Sequence, residues 1–492
     1  MVQPINRRSF LSSTLGSAAG LLILPSSRTA FSYQANERVN LAVMGHMYVA
    51  GHFWSSVHAY ENVQIVALCD PDEREMPKAF QIWEKQAREW VGSAQANERK
   101  AAEQYKRLVE NKPPVFADFR RMLEEMGDRI DAVVVSLFEH YHGVACGAAM
   151  RAGKHVFCER PLGLTIRESR ALRDLAARQK VATSIRNPGN ASPQFRRGVE
   201  LVREGVLGPV EEVHVWFDRG GPDRDGPPQG TPPVPEGLHW DLWLGPARAR
   251  PYHPDWMAYA HWREFSNGGI GTFGPHASNL AFLSLGLPEL WRGAPDNGAR
   301  GATIRVHAEC SRINRLSFPR WEVIRWQAPG RGGLPPVKFT WHHGPGYPPG
   351  HKEMLLKMIT DRGASPEEAE KLLGNAGAML VGAKGILVTD DHNVKFSLLP
   401  KDIFRDVEQD RPKSLSASRG HYADWLLACR GGQPAPLASF EYANPLSEFL
   451  MLGNVATQFE GELEYDPAAC QIVNHAEGNE ALGYEYRPGW TL

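Results

Sequence analysis

The stretch Arg38-Val39-Asn40-Leu41-Ala42-Val43-Met44-Gly45-His46-Met47-Tyr48-Val49-Ala50-Gly51 decides how the N-terminal part folds. Residues 38–44 form a short, β-branched and apolar run that ends on glycine, as a buried parallel strand ends at its turn. A helix-like stretch to Tyr60 follows. A second apolar run, Val63 to Leu68, then closes on Cys69-Asp70, so the whole reads as a strand–helix–strand unit.

Working outward, a charged helical region covers Glu73 to Glu110. Val115-Phe116 and a helix over Phe119 to Met126 lead to the strongest strand of the chain, Asp131 to Ser136. A helix over Tyr141 to Ala152 and a strand over Lys154 to Cys158 come next. Alternating strands and helices predict a doubly wound parallel sheet. Further on, the patterning predicts strands at 181–185, 210–217, 303–309, 323–327, 337–341 and 378–388, with helices at 195–204, 352–360, 366–373, 418–429 and 446–457. A Gly/Pro-rich loop, Gly220 to Glu236, is expected at the surface or at a substrate mouth.

The turn after the first strand resembles the dinucleotide fingerprint G-x-G-x-x-G/A. Gly45 and Ala50 fit its outer positions, but Met47 stands where a glycine normally lets the backbone approach a pyrophosphate. Asp70 closes the second strand. A carboxylate there accepts hydrogen bonds from ribose hydroxyls and repels a 2′-phosphate, which favours NAD over NADP. The competing reading of Asp70 is a turn or cap residue ahead of Pro71.

With 55 Lys+Arg against 56 Asp+Glu over 492 residues and a net charge of −1, the composition offers no broad electrostatic footprint for nucleic acid or an anionic membrane. A small-molecule partner is expected instead. The six cysteines show no CxxC pair, which argues against a zinc site or a disulfide framework. His239/Asp241 and His342/His343 are the candidate metal ligands, but adjacent histidines point to different sides of a strand, so no metal is expected. At the start of the chain, Asn6-Arg7-Arg8-Ser9-Phe10-Leu11 precedes a mildly apolar run, Leu15 to Leu24. This reads as a twin-arginine export signal over residues 1–35 and implies a periplasmic or otherwise extracytoplasmic protein, with no stable membrane insertion after processing.

The most specific landmark is Gly153-Lys154-His155-Val156-Phe157-Cys158-Glu159-Arg160-Pro161-Leu162, preceded by Ser136-Leu137-Phe138-Glu139-His140-Tyr141-His142. With Phe195 to Val215, Trp240 to Tyr252, Trp262-Arg263 and Tyr484 to Trp490, these stretches resemble the glucose–fructose oxidoreductase/inositol dehydrogenase/MocA family across nearly the whole chain after the signal. The resemblance implies an α/β then α+β architecture. A Rossmann domain would occupy residues 36–163. A substrate and oligomerisation domain, with a large open, mostly antiparallel sheet flanked by helices, would occupy 164–492 in a homo-dimer or tetramer.

It also implies a site. Gly45, Met47, Tyr48, Ala50, Asp70, Ser136, His140, Glu159 and Arg160 would border NAD; Arg263, Trp262, Tyr259, His142 and Thr272 would border substrate; and Arg160 and His276 would carry the chemistry. Two positions depart from the family pattern. Arg160 stands where a lysine touches nicotinamide and substrate, and Thr272 where a carboxylate orients the acid/base histidine, here His276. His253 and His261 are further candidates for the cleft.

Three functions are weighed on this basis. The leading one is NAD-dependent hydride transfer at a secondary carbinol carbon of a sugar, polyol or glycoside. The second is glycoside cleavage through transient oxidation. The third is a noncatalytic carbohydrate-binding protein on the same fold.

Overall fold

The computed structural model describes residues 38–45, 63–292, 302–433 and 435–492. The expected export signal and Met47, Tyr48 and Ala50 lie outside the described residues. The first part runs β1 (Val39–Met44), β2 (Val63–Cys69), α1 (Glu75–Trp90), α2 (Ala96–Asn111), β3 (Val115–Phe116), α3 (Phe119–Met126), β4 (Ala132–Val135), α4 (Glu139–Arg151), β5 (His155–Cys158), α5 (Ile166–Gln179) and β6 (Thr183–Ile185). The second runs α6 (Pro193–Arg203), β7 (Val210–Phe217), α7 (Trp240–Leu244), α8 (Pro254–Met257), α9 (Gly268–Ala277), α10 (Asn279–Ser284), β8 (Ile304–Cys310), β9 (Glu322–Ala328), β10 (Val337–His343), α11 (His351–Thr360), α12 (Pro366–Leu373), β11 (Ala376–Gly382), β12 (Ile386–Thr389), β13 (Phe396–Leu399), α13 (His421–Cys429), α14 (Phe440–Ala456), β14 (Glu462–Asp466), β15 (Gln471–Ile472) and α15 (Ala476–Glu480).

Among the described residues the first sheet has the order β3-β2-β1-β4-β5-β6 and is parallel throughout. Its strands read as continuous apolar runs because both faces are covered. Leu41, Val43, Ala132 and Val134 point into a layer with Trp83, Tyr105 and Trp425. The alternate residues Ala42, Met44, Val133 and Val135 point into the other layer, with Phe119, Met122 and Tyr141. Trp425 belongs to α13, so a helix from late in the chain completes the first domain. The sheet also continues to β6, past the boundary expected at residue 163, because β6 pairs with β5 and gains its ladder from that edge.

The second sheet has the order β13-β12-β11-β7-β10-β9-β8-β14-β15, antiparallel except for the parallel pair β7 and β10. The single strand expected over 378–388 is a hairpin of β11 and β12. Gly385 lies in the turn between them, where a Cβ would sit 2.3 Å from the Leu399 carbonyl oxygen of β13, so that close approach requires glycine. The continuous helical region expected over 73–110 is two helices, α1 and α2. No helix among the described residues is long and apolar enough to cross a membrane.

One face of the second sheet, including Val213, Val215, Trp326 and Phe339, packs on the almost wholly buried α14; α11 and α12 cover Trp216, Met379 and Val388 on the other. Val39 to Leu492 form one compact unit. Much of the joining falls to Glu448 of α14. Its carboxylate receives Arg170 Nε at 2.9 Å and Nη2 at 2.7 Å from α5, Trp291 Nε1 at 2.7 Å and the Tyr465 hydroxyl at 2.6 Å from β14. Glu448 is fully buried. Glu448→Ala leaves the Arg170 cation without its buried counter-charge, and denaturant unfolding is expected to show a loss of about 3–5 kcal/mol.

Candidate active site

The parallel sheet sets the position of the site. Its strand order reverses between β1 and β4, and in such sheets a crevice opens beyond the carboxyl ends of the strands at that point. Gly45 ends β1 there with φ +79°. Any Cβ on it would lie 2.4 Å from the Ser136 carbonyl oxygen, so only glycine lets the turn pass this close to the end of β4. Gly45 N donates to the Cys69 carbonyl at 2.8 Å and Ser136 N to the Met44 carbonyl at 2.7 Å, which holds the three strand ends together.

A cavity of about 330 Å³ occupies this crevice. Gly45, Asp70 and Asp72 line it from the ends of β1 and β2, Ser136 and Glu139 from the β4–α4 junction, and Glu159 and Arg160 from the end of β5. Trp243, Met257, Tyr259 and Thr272 close it from the second domain. The wall is rich in carboxylates. Asp70 Oδ1 accepts from Asp72 N at 2.8 Å, and Asp72 holds Arg74 through two contacts of 2.6 Å.

At the other end, Arg160 Nη1 donates to Glu159 Oε2 at 2.6 Å and Nε to the Thr272 carbonyl at 3.2 Å; Arg186 adds a second cation 3.6 Å from Glu159. Ser136 Oγ and Trp243 Nε1 are buried and have no hydrogen-bond partner among the described residues. They are the kind of polar groups that a bound ligand satisfies.

The candidates read from the sequence divide by position. Gly45, Asp70, Ser136, His142, Glu159, Arg160, Tyr259 and Thr272 all line the cavity. His140, Trp262, Arg263 and His276 are not among its lining residues. His140 is buried among Phe138, Trp243 and Phe265 with Nε2 3.0 Å from the Trp243 carbonyl, and burial pushes its pKa down to about 4. Trp262 donates Nε1 to the Asp255 carbonyl within an aromatic cluster. His142 spans the Pro161 carbonyl (2.9 Å) and the Leu137 carbonyl (3.1 Å), tying the two loops of the cavity floor.

His276 lies one helical turn beyond Thr272 on α9, so it shares that face of the helix. It is buried, with Nδ1 3.4 Å from Asn187 Oδ1 and its ring 4.6 Å from that of His392. Burial first, then the positive fields of Arg160, His392, Arg186 and His421, hold it neutral well below the ordinary histidine range.

The remaining histidines have other partners. His239 meets Glu73 and Asp241 meets Arg487; His342 faces His214, and His343 faces Glu322. His253 accepts from Asp255 N, and His261 meets Arg224. Among the described residues no group of three ligating side chains is placed to hold a metal ion.

The sequence reading passed over Glu139, which sat inside the quoted Ser136–His142 stretch. Its carboxylate is buried on the cavity wall and accepts from Asn267 N across the domain seam. Burial raises its pKa to about 7 against the Asn267 N–H, the Arg160 charge and the Ser266 hydroxyl, which all favour the ionised form. An acidic residue at the start of a helix ordinarily signals a cap, and that hid it. The aromatic and thioether wall of Trp243 and Met257 carried no local signal at all.

Residues 39–186 match the model of the GFO_IDH_MocA oxidoreductase family, described as an NAD-binding Rossmann fold. The likeness to that family is carried by this domain. It is 29% identical over 118 residues to levoglucosan dehydrogenase of Pseudarthrobacter phenanthrenivorans, which is 24% of this chain and 29% of that one. It is 26% identical over 225 residues to glycosyl hydrolase family 109 protein 1 of a Shewanella species, 42% of this chain and 44% of that one. The matched stretches thus span less than half the length of these curated relatives. Among solved structures, the WlbA dehydrogenase of Chromobacterium violaceum, in complex with NADH and UDP-GlcNAcA, superposes with a TM-score of 0.54 at 13% identity. The superposition covers 87% of this chain and 96% of that one and shows a shared fold.

Arg263 is the family-implied substrate residue whose setting differs most from a binding role. Its guanidinium donates to the carbonyls of Asn314 (2.8 Å), Ser317 (3.0 Å) and Asn454 (3.2 Å) and to Thr457 Oγ1 (2.8 Å), and burial lowers its pKa to about 10. Arg263→Met should therefore lower unfolding free energy by about 2–3 kcal/mol, the penalty for acceptors left unpaired, and leave dinucleotide affinity within about twofold in a fluorescence titration.

Proposed function

We propose that this chain is an NAD-dependent oxidoreductase that moves hydride between nicotinamide and a secondary carbinol carbon of a neutral sugar, polyol or glycoside. The observation that carries the proposal is the cavity at the switch point of the parallel sheet, with Asp70 on one wall and Arg160 with Thr272 on the other. The residues fit a dinucleotide. Gly45 leaves no room for a side chain at the turn, Asp70 offers a carboxylate at the end of β2, and Ser136 Oγ is buried without a partner among the described residues. When bound, the nicotinamide supplies the hydride chemistry, and the protein supplies orientation, proton handling and exclusion of water.

On this reading Arg160 holds a substrate oxygen near the Thr272 carbonyl, and its contact with Glu159 keeps the guanidinium in place. Tyr259, its ring 4.5 Å from that of Phe138, and Met257 give an apolar wall for a sugar face. His276 acts from behind, as a neutral, buried prop next to Arg160. The likeness to a glycosyl hydrolase family 109 protein over 42% of the chain supports a second reading, in which oxidation is transient and the aglycone leaves before re-reduction.

Equilibrium titration should show NAD binding at least about tenfold tighter than NADP, with Asp70→Ala narrowing the gap, because a carboxylate beside the ribose repels a 2′-phosphate. Absence of binding by both would overturn the proposal in favour of a noncatalytic carbohydrate-binding protein. With levoglucosan, hexoses, inositols and p-nitrophenyl glycosides as probes, net NADH formation supports the first reading, and phenol release without net NADH supports the second.

We also propose that the protein is exported by the twin-arginine route, on the strength of Arg7-Arg8 ahead of the apolar run. Replacing both arginines with lysine should leave the protein in the cytoplasmic fraction, because the export receptor reads the pair and not its charge alone. Unchanged export would remove that claim.

A further inference from the structure

The redox reading requires a group that takes a proton from the substrate hydroxyl as hydride leaves the carbon. Few residues on the cavity wall are placed to do so. Glu159 is paired with Arg160 and faces Arg186, which keeps its carboxylate engaged. Asp70 and Asp72 belong to the β2 end of the cavity, and Asp72 is held by Arg74. The two ring nitrogens of His142 rest on backbone carbonyls. His276 is off the wall.

Glu139 differs from all of these. It lies at the first position of α4, is 6% exposed, lines the cavity and is in no ion pair among the described residues. Its carboxylate is positioned by Asn267 N and the Ser266 hydroxyl, both from the segment that leads into α9 and to Thr272. We infer that Glu139 is the proton acceptor of the site, working at the cavity end shared by Arg160 and Thr272. The inference rests on the redox reading above.

In the oxidation direction the substrate O–H bond breaks and its proton passes to a Glu139 oxygen. The carbinol C–H bond breaks at the same time, and its electron pair leaves as hydride to NAD, giving a carbonyl and NADH. Glu139 then returns the proton to solvent. Among the described residues, the charged and titratable groups that face it are Arg160 and Cys158 from β5 and the loop after it; the second domain presents N–H and O–H donors, Asn267 and Ser266. His140 and His142, on its own helix, are kept neutral by burial. Burial outweighs the Asn267 donors, the Arg160 charge and the Ser266 hydroxyl and sets the carboxyl to exchange protons near pH 7, where such exchange is useful in both directions.

The test uses the full chain and the isosteric Glu139→Gln, whose amide oxygen can still accept from Asn267 N, so folding is preserved. Calorimetric titration with NAD and with NADH at pH 7, in buffers of different ionisation heat, counts protons exchanged on binding. The wild type should release up to about half a proton with NAD, whose ring is positive, and less with NADH; Glu139→Gln should bind both and release none. Infrared pH titration without dinucleotide should show a carboxyl band lost near pH 7 that is missing in Glu139→Gln. Glu168 is also buried and raised to about 7, so Glu168→Gln identifies its separate band.

On whichever probe sugar is oxidised, Glu139→Gln should lower turnover by about a hundredfold and abolish the pH limb near 7, and Glu139→Asp should restore part of both. Equal proton counts in wild type and Glu139→Gln, or a carboxyl that titrates below about pH 5, would overturn the inference alone. Wild-type protein that binds neither dinucleotide would overturn the redox reading and this inference with it.

Discussion

The contact between Glu139 and the backbone N–H of Asn267 is the constraint on which the site depends. It spans the seam between the parallel sheet and the second domain, and it is made inside the protein, where a carboxylate is tolerated only if donors face it. Asn267 is held in turn. Its side-chain amide donates to the Leu164 carbonyl at 3.1 Å, and Asn454 of the buried α14 donates to the Asn267 carbonyl at 2.7 Å. A single residue thus ties the start of α4, the loop after β5 and the central helix of the second domain. The cavity is what those three elements enclose, so its shape follows from how this junction closes.

Around that junction the electrostatics are uneven. One wall is crowded with carboxylates, and the cations near the other end, Arg160 and Arg186, face Glu159. Such a wall accepts hydrogen bonds from hydroxyls and repels anions, which suits a neutral polyol better than an acidic sugar. Burial, and then the same two arginines with His392 and His421, keep His276 uncharged. A neutral imidazole on α9 adds no further positive charge to the pair of arginines at Glu159.

The C-terminal stretch gives a second view of how distant pieces are joined. Glu168 completes a capping box with Thr165 at the start of α5, and its other oxygen receives the Tyr486 hydroxyl at 2.6 Å. Arg487 reaches Asp241 and the Gly245 carbonyl, and Trp490 packs on Phe119 and Tyr141 under the Arg120 guanidinium. The tail therefore binds α3, α4, α5 and the segment around α7 in one pass. In the sequence, Tyr484 to Trp490 stood out only as part of a resemblance; its mechanical role comes from partners hundreds of residues away.

Much of the first domain was legible in the sequence, because a strand buried on both faces must be continuously apolar and a turn that touches another strand end must be glycine. Leu41 to Met44, Gly45 and Ala132 to Val135 obey these local rules, and they place one end of the cavity. The hairpin of β11 and β12 and the two helices within 73–110 were blurred, since an apolar or charged run does not mark where a short turn interrupts it. What only the tertiary structure decided is which polar residues meet. His140, Arg263 and His276 have the residue types of a site, yet their neighbours are backbone carbonyls, aromatic rings and cations drawn from far along the chain. Glu139 has the residue type of an ordinary helix start. The seam that buries it is built by Asn267, Leu164 and Asn454, and no local pattern encodes the desolvation that such a meeting imposes on a carboxyl group.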